Sequence, residues 1–358
     1  MSQFHSLTIK DVRPETRDAV SIAFDVPAEL EPGFQFVQGQ HLVVRAHIGD
    51  EEIRRSYSIC SGALDGELRI AVKRVEGGLF SAYANDQLKV GGQLEVMPPA
   101  GHFHVELDPA RHGHYLAVAA GSGITPILSI VKTTLEVEPN SRVTLLYGNR
   151  STGSTMFREA LEDLKNRYLT RLNLIFVFSR EQQDVDLYNG RIDADKCGIL
   201  FSRWVDVKGL DAAFICGPHA MTEAVRDSLK AHGMPAEQIH FELFGAAVDT
   251  TRREARQAAA AVSKASSHIT VIHDGRALEF DLPRNTQSIL DAGNAQGAEL
   301  PYSCKAGVCS TCMCKVVEGE VEMDANFALE DYEVAAGYVL SCQCFPLTDK
   351  VVLDFDQR

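Results

Sequence analysis

The chain divides by the rhythm of its apolar positions. Over residues 1–108, apolar and polar residues alternate in short runs: SLTIKDV, AVSIAFDV, HLVVRAHI, RRSYSIC, ELRIAVKRV and QLEVMPP. A period of two sends successive side chains to opposite faces, so each run reads as a half-buried strand. Pro32-Gly33, Gly49-Asp50, Asp65-Gly66 and Gly91-Gly92 punctuate them as turns. Six short strands at this spacing predict an antiparallel six-stranded β-barrel.

Over residues 109–245 the texture changes. HYLAVAA, RVTLLYGN, LNLIFVFS, AAFICGP and IHFELF are nearly continuous apolar runs, the mark of strands covered on both faces. Between them lie helical stretches, PILSIVKTTLEV, MFREALEDLKNRY and AMTEAVRDSLKAHG. Strands alternating with helices predict an α/β domain on a parallel sheet. Residues 246–267 lack aromatic residues and are rich in Ala, Thr and Arg, so they read as a linker of partly helical character. A third domain, 268–358, opens with HITVIHDGRALEFDL, a hairpin turning at Asp274-Gly275. The helix QSILDAGNAQG and a cysteine-rich loop follow, which makes a small α+β module.

Composition narrows the class. With 358 residues, 45% hydrophobic and 23% charged, the chain has an ordinary globular makeup and room for two or three domains. No apolar run reaches the ~18 residues that a membrane span needs. MSQFHSLTIKDVRPETRD has no apolar core of a secretory signal, so a cytoplasmic protein without a membrane anchor is expected. The formal charge of −14 argues against a nucleic-acid partner, whose phosphates call for Lys and Arg. From His268 onward, 15 acidic residues face 6 basic ones, which sets the third domain apart as an acidic module.

The cysteines carry the first candidate chemistry. Six of the nine, Cys304, Cys309, Cys312, Cys314, Cys342 and Cys344, gather near the carboxyl end, whereas a secreted disulfide framework would be spread along the chain. Cys304-x4-Cys309-x2-Cys312, with Cys342 after 29 further residues, is the plant-type [2Fe–2S] spacing. Each iron takes two thiolates, so one loop must wrap the cluster while a distant cysteine closes it. Gly307 and the small Ala306, Ser310 and Thr311 leave room for backbone N–H groups to approach sulfur. A zinc ribbon would use two paired knuckles, and only one C-x2-C pair is present. Cys314 and Cys344 read as packed thiols beside the site. YSCKAGVCSTC followed by GYVLSCQ resembles the plant-type ferredoxin family, which has the β-grasp fold. That resemblance covers 268–358 and implies that Cys304 and Cys309 hold one iron, Cys312 and Cys342 the other.

Two further motifs lie upstream. In Arg54-Arg55-Ser56-Tyr57-Ser58 an Arg suited to a phosphate and a Tyr suited to a flat ring share a strand, which by itself also describes a half-exposed strand. Gly77-Gly78-Leu79-Phe80-Ser81 opens a helix whose free N–H groups suit a pyrophosphate, or forms a plain turn with Ser81 as N-cap. Together, R-x-Y-S and then G-G-x-x-S resemble the flavin-binding barrel of the ferredoxin–NADP reductase superfamily. The resemblance implies bound FAD, with Arg55 on its phosphate, Tyr57 on the ring system and Ser58 near N5. Lys73 and the Gly78, Leu79, Phe80 and Ser81 backbone would line the rest.

After the strand YLAVAA comes Gly121-Ser122-Gly123-Ile124-Thr125-Pro126, which lacks the last glycine of the full dinucleotide fingerprint. Thr125 reads as the N-cap and Pro126 as the first residue of a helix. Within the superfamily this turn cradles the NAD(P) pyrophosphate, which implicates Gly121, Gly123, Thr125 and Pro126. The strand tips Asn149-Arg150 and Ser179-Arg180-Glu181 offer arginines to a 2′-phosphate, so NADPH is expected in preference to NADH, with Arg150, Ser179 and Arg180 as its contacts. The resemblance also places Cys216, Gly217 and Pro218 beside the nicotinamide. Glu242 and Phe244 match the superfamily's acid and flavin-side aromatic. Ser58, Cys216 and Glu242 thereby form the implied catalytic set. The twelve histidines, including His102-x-His104 and His112-x-His114, show no metal-ligand spacing.

NADPH yields a hydride, a cluster carries single electrons, and a flavin converts one into the other. Barrel, nucleotide domain and ferredoxin, in that order, resemble the reductases of oxygenases. FHSL, GELRIAVKRVEGG and LEDYEVAAGYVLSCQ are similar in particular to reductases that serve aerobic phenylacetate degradation. The implied role is electron supply to the di-iron oxygenase subunits of a multicomponent monooxygenase. A reductase for a steroid or aromatic-ring hydroxylase is the nearest rival, and a flavin and iron–sulfur redox sensor is the rival from another class.

Overall fold

A computed structural model describes residues 4–245, Arg256, Ala258 and 265–357. The chain forms two compact units, the first ending at Phe244 and the second built on 245–358.

The first unit begins with six strands: β1 (His5–Thr16), β2 (Ala19–Asp25), β3 (His41–Ile48), β4 (Glu51–Ser58), β5 (Leu68–Lys73) and β6 (Gln93–Val96). They form one antiparallel sheet in the order β4-β3-β6-β1-β2-β5. Its two edges meet through the Ile59–Ile70 bridge, which curls the sheet toward a closed barrel. Leu7, Ile22, Leu42, Val44, Ile70 and Val96 fill the interior. The short helix α1 (Glu31–Phe34) and the helix α2 (Leu79–Asp86) complete this part. All six expected strands are present.

The parallel sheet follows: β7 (His114–Ala120), β8 (Arg142–Asn149), β9 (Leu172–Phe178), β10 (Ala212–Cys216) and β11 (Ile239–Glu242), in the order β11-β10-β7-β8-β9. Helices α3 (Ile124–Val137) and α4 (Arg158–Arg167) cover one face through Ile127, Val131 and Leu161. Helices α5 (Ala194–Arg203) and α6 (His219–Ala231) cover the other through Leu200, Phe201, Val225 and Leu229. Two-sided cover explains the unbroken apolar runs. Strand order reverses between β7 and β10, and ligands of such sheets bind outside the carboxyl ends of the strands at that point. Ala19, Cys60, Ala71 and Phe103 of the barrel pack into the same core as Tyr115, Ile127 and Phe214, so barrel and parallel sheet share one hydrophobic core.

One local expectation is corrected. Thr125 is not the N-cap of α3, nor is Pro126 its first residue. Gly121–Gly123 already winds as a 3-10 turn that runs into the helix, so the cap falls on Gly123. The Thr125 hydroxyl instead donates to the Ser122 carbonyl at 3.0 Å. Ser81 likewise lies inside α2, whose cap is Gly78; its hydroxyl accepts from the Val75 N–H at 3.0 Å and closes the preceding loop.

The second unit is a mixed sheet. Its strands are β12 (Ser266–His273), β13 (Arg276–Pro283), β14 (Met313–Glu318), β15 (Val321–Met323), β16 (Tyr338–Leu340), β17 (Cys344–Pro346) and β18 (Lys350–Asp354). The order is β13-β12-β18-β14-β16, with β12 and β18 parallel, and β15 and β17 form a separate antiparallel pair. Asp274 and Gly275, at φ 50° and 70°, make the expected hairpin turn. The helix α7 (Ile289–Ala295) is capped by Ser288, whose hydroxyl accepts from the Asp291 N–H at 3.1 Å. The helix α8 is Asp331–Ala335. The expected linker 246–267 falls largely outside the described residues, and β12 starts within its last two positions.

Candidate functional site

In the first unit, the barrel presents its motif residues on β4. Register places Ser58 opposite His41 and Tyr57 opposite Leu42 on β3. The Tyr57 ring packs on Phe80 of α2 at 5.4 Å, and burial pushes its phenol well above the usual range. Arg55 is exposed, with one N–H donated to the Arg54 carbonyl at 2.7 Å. Lys73 ends β5 with its ammonium 3.8 Å from Asp18, at the β1–β2 turn. Phe244, just past β11, leaves an apolar ring 47% exposed, enough to meet a flat ligand.

The join of the two parts gathers the three implied catalytic residues. The Ser58 hydroxyl donates to Glu242 Oε2 at 3.1 Å. Glu242 ends β11 directly beside Cys216, which ends β10. The Cys216 thiol is fully buried, and burial together with the Glu242 carboxylate pushes it well above the ordinary thiol range. It is therefore a neutral, packed thiol rather than a nucleophile. Ser58 and Glu242 lie 184 positions apart in sequence, and only the parallel sheet brings them together. His41, which the sequence did not single out, is buried opposite Ser58, and its Nε2 has no hydrogen-bond partner among the described residues. Burial lowers its pKa to about 4, with a smaller push from His102. One histidine inside an apolar strand leaves no pattern that would have found it.

The glycines at the carboxyl ends of β7 and β10 make room for a dinucleotide. A Cβ on Gly123 would sit 2.1 Å from the Cys216 carbonyl oxygen, and one on Gly217 2.5 Å from the Met221 side chain. The two turns thus touch backbone to backbone, at the switch point where a pyrophosphate would lie. Gly121 has φ +56° and its carbonyl accepts from the Tyr147 hydroxyl at 2.9 Å. The Thr222 hydroxyl in the first turn of α6, after Pro218, is buried without a hydrogen-bond partner among the described residues. Farther along, the Arg180 N–H donates to the Arg150 carbonyl at 2.8 Å, which sets two exposed arginines at adjacent strand tips next to Ser179. The Glu181 carboxylate is already engaged. It accepts from the Thr152 N–H at 2.8 Å and hydroxyl at 2.5 Å, which hold its carboxyl below the usual range.

In the second unit the cysteine loop is wound tightly. Lys305, Gly307 and Ser310 take φ 50°, 74° and 49°, and a Cβ on Gly307 would come 2.9 Å from the Ala325 carbonyl. The N–H groups of Ala306 and Val308 point at the Cys304 sulfur and that of Gly307 at the Cys342 sulfur. The four thiols meet in pairs. Cys304 hydrogen-bonds Cys309, which lowers the Cys304 pKa to about 6, and Cys312 hydrogen-bonds Cys342, whose pKa is lowered in the same way. Among the described residues no three His, Cys, Asp or Glu side chains converge on a position for a single ion. Two hydrogen-bonded thiol pairs with N–H donors on their sulfurs fit a two-iron cluster. Cys314 and Cys344 are fully buried in the core beside them.

Comparison with known proteins adds three domain matches. Residues 6–105 match the oxidoreductase FAD-binding domain, 117–227 the oxidoreductase NAD-binding domain, and 271–347 the 2Fe-2S iron-sulfur cluster binding domain. The chain is 50% identical over 358 residues to a subunit of the 1,2-phenylacetyl-CoA epoxidase of Escherichia coli (strain K12), covering 100% of this chain and 99% of that one. It is 34% identical to the ferredoxin reductase component of 3-ketosteroid-9-alpha-monooxygenase of Rhodococcus rhodochrous, across 98% and 96% of the two chains. The fold is that of phthalate dioxygenase reductase, at a TM-score of 0.59 and 24% identity over 98% of each chain. Among the described residues no helix is long and apolar enough to cross a membrane. With half of its residues shared from end to end with that epoxidase subunit, and flavin, nucleotide and cluster domains in succession, the chain belongs to the same family as that subunit, within the ferredoxin–NADP reductase superfamily.

Proposed function

We propose that this chain is the reductase component of a multicomponent oxygenase. It draws electrons from NADPH through FAD to a [2Fe–2S] cluster and passes them to separate di-iron oxygenase subunits that epoxidise phenylacetyl-CoA in aerobic phenylacetate degradation. The observation that carries the chemistry is the Ser58–Glu242 hydrogen bond of 3.1 Å, which joins the flavin barrel to the nucleotide sheet beside Cys216. Full-length identity of 50% to an epoxidase subunit supports the acceptor.

The bound flavin supplies the conversion of a hydride into single electrons, and the cluster relays them. The chain's own part is placement. Gly123 and Gly217 keep two turns open to a dinucleotide backbone, and the exposed Arg55 has further N–H groups to offer a flavin phosphate. Tyr57, braced by Phe80, would hold the flavin ring system together with Lys73, Gly78–Ser81 and the exposed ring of Phe244. The buried Cys216 thiol would pack beside the nicotinamide and keep water from it. Once two electrons have left, one proton per hydride must leave as well; Glu242 Oε2, which accepts from Ser58 Oγ, is the group placed to take it. Cys304 with Cys309, and Cys312 with Cys342, would each hold one iron.

Arg150 and Arg180 side by side, with the Glu181 carboxylate engaged by Thr152, favour a 2′-phosphate and hence NADPH over NADH. The cluster spacing of Cys304, Cys309, Cys312 and Cys342 suits the reducing cytosol, where thiolates stay available to iron.

An anaerobic titration of the purified protein tests the whole scheme. Flavin and iron–sulfur absorption bands that bleach with NADPH are the expected result. Bands that bleach with NADH alone would overturn the arginine argument, and flavin bands without cluster bands in an iron-replete preparation would remove the ferredoxin reading. Electron delivery to a di-iron phenylacetyl-CoA epoxidase, and not to a steroid hydroxylase, decides between the two acceptor classes. A redox sensor would not sustain turnover with an artificial acceptor.

A further inference from the structure

Arg256 lies ahead of β12 and outside the 271–347 domain match, yet its side chain is only 10% exposed. Its guanidinium is held by four groups of the second unit. Nε and Nη2 donate to Asp324 Oδ1 at 3.0 and 2.5 Å, Nη2 also to Glu322 Oε2 at 2.9 Å, and Nη1 to Asn285 Oδ1 at 3.1 Å. Its central carbon lies 3.9 Å from the centre of the Phe345 ring. Glu322 is on β15 and Phe345 directly opposite on β17, so one side chain clamps both strands of that pair.

The clamped pair leads straight to the cysteine loop. The Asp324 N–H donates to the Gln343 carbonyl at 3.0 Å. The Gln343 amide donates to the Lys305 carbonyl at 3.0 Å and reaches the Cys342 sulfur at 3.5 Å. The residue after Asp324, Ala325, is the one against which Gly307 packs, and the Phe327 N–H donates to the Gly307 carbonyl at 3.0 Å. A buried planar cation that satisfies two carboxylates and a ring is a specific fixture, which Lys cannot reproduce.

We propose that Arg256 is a positioning residue for the iron–sulfur cluster, holding the β15–β17 pair so that Asp324 and Gln343 keep Cys342 and the Gly307 turn in place. This rests on the reading of Cys304, Cys309, Cys312 and Cys342 as the ligands. The ferredoxin unit that works then begins at Arg256, upstream of its first strand. Removing the cation leaves Glu322 and Asp324 unbalanced against each other, loosens the support of Cys342 and adds net negative charge near the irons.

The test uses the full-length holoprotein carrying Arg256→Gln, Arg256→Lys or Asp324→Asn. Iron release to a chelator, the cluster's midpoint potential and its electron paramagnetic resonance signal are measured, with flavin reduction by NADPH as the control for the first unit and far-UV circular dichroism for the fold of the second. Arg256→Gln is expected to lose iron about tenfold faster, the scale typical of groups that support metal ligands, and to shift the potential downward. Arg256→Lys should keep the potential near wild type while still losing iron faster. Asp324→Asn should also lose iron faster but shift the potential upward, because it removes a negative charge. It therefore decides the matter if Arg256→Gln does not fold. Wild-type iron retention, potential and signal in Arg256→Gln, or in Asp324→Asn, would overturn the proposal. A wild-type protein without a [2Fe–2S] signal would instead overturn the ligand reading.

Discussion

At the scale of single residues, the site depends on a few side chains whose protonation burial decides. Glu242 receives the Ser58 hydrogen bond and sits against the neutral Cys216 thiol. Replacing it with Gln keeps the shape but removes the proton acceptor. NADPH-driven turnover of Glu242→Gln should fall about 10²-fold, with little change in KM, by steady-state assay. Arg180→Ala should raise KM for NADPH about tenfold and leave NADH kinetics unchanged, since a 2′-phosphate partner is lost. Ser58 and Arg180 could be singled out in the sequence because they stand in a motif or at a strand end, and Glu242 only because it resembles the superfamily's acid. His41 could not, since nothing along an apolar strand marks which side chain is closed off from water.

At the scale of elements, two turns decide whether the nucleotide sheet works. A methyl on Gly123 would press into the Cys216 carbonyl at 2.1 Å, where neither backbone can yield cheaply. Gly123→Ala should destabilise the first unit by about 2–3 kcal/mol, read in thermal or denaturant unfolding, and weaken NADPH binding along with it. The sequence located this turn but misplaced its cap. A Thr-Pro pair normally starts a helix, yet the preceding glycines can wind as well, and here they do, so Thr125 falls inside the helix. Helix α5, ADKCGILFSR, went unread because Cys197, the internal Gly198 and Ser202 are poor helix formers, although Asp193 caps it.

At the scale of the whole molecule, the two units carry separate chemistry on one chain. Cys342→Ser should abolish the cluster spectrum and delivery to the oxygenase, while FAD stays bound and is still reduced by NADPH. Acid should weaken the first unit selectively. Its His41 has a folded pKa near 4 against an ordinary value of 6.5, so below pH 6.5 the unfolded chain takes up a proton that the folded unit refuses. Stability is therefore lost as pH falls from about 6.5 toward 4, by up to ~3 kcal/mol from this group. His104 and His240, lowered mainly by burial, act in the same direction. His41→Asn should flatten the dependence of melting temperature on pH across that interval.

The amino-acid sequence alone determined the order of the parts, the six barrel strands, the five parallel strands and the cysteine ligand spacing. Each of these is local, written in periodicity, turn residues or the reach of one loop. Tertiary structure decided what no local signal holds: that Ser58 meets Glu242 beside Cys216, that Gly123 is pressed against Cys216, that His41 is sealed off, and that Arg256 closes on Asp324, Glu322 and Phe345. These contacts join residues far apart in the chain. They exist only once burial of the apolar faces has brought strand ends together, because packing selects the partners and the sequence pattern selects only the faces.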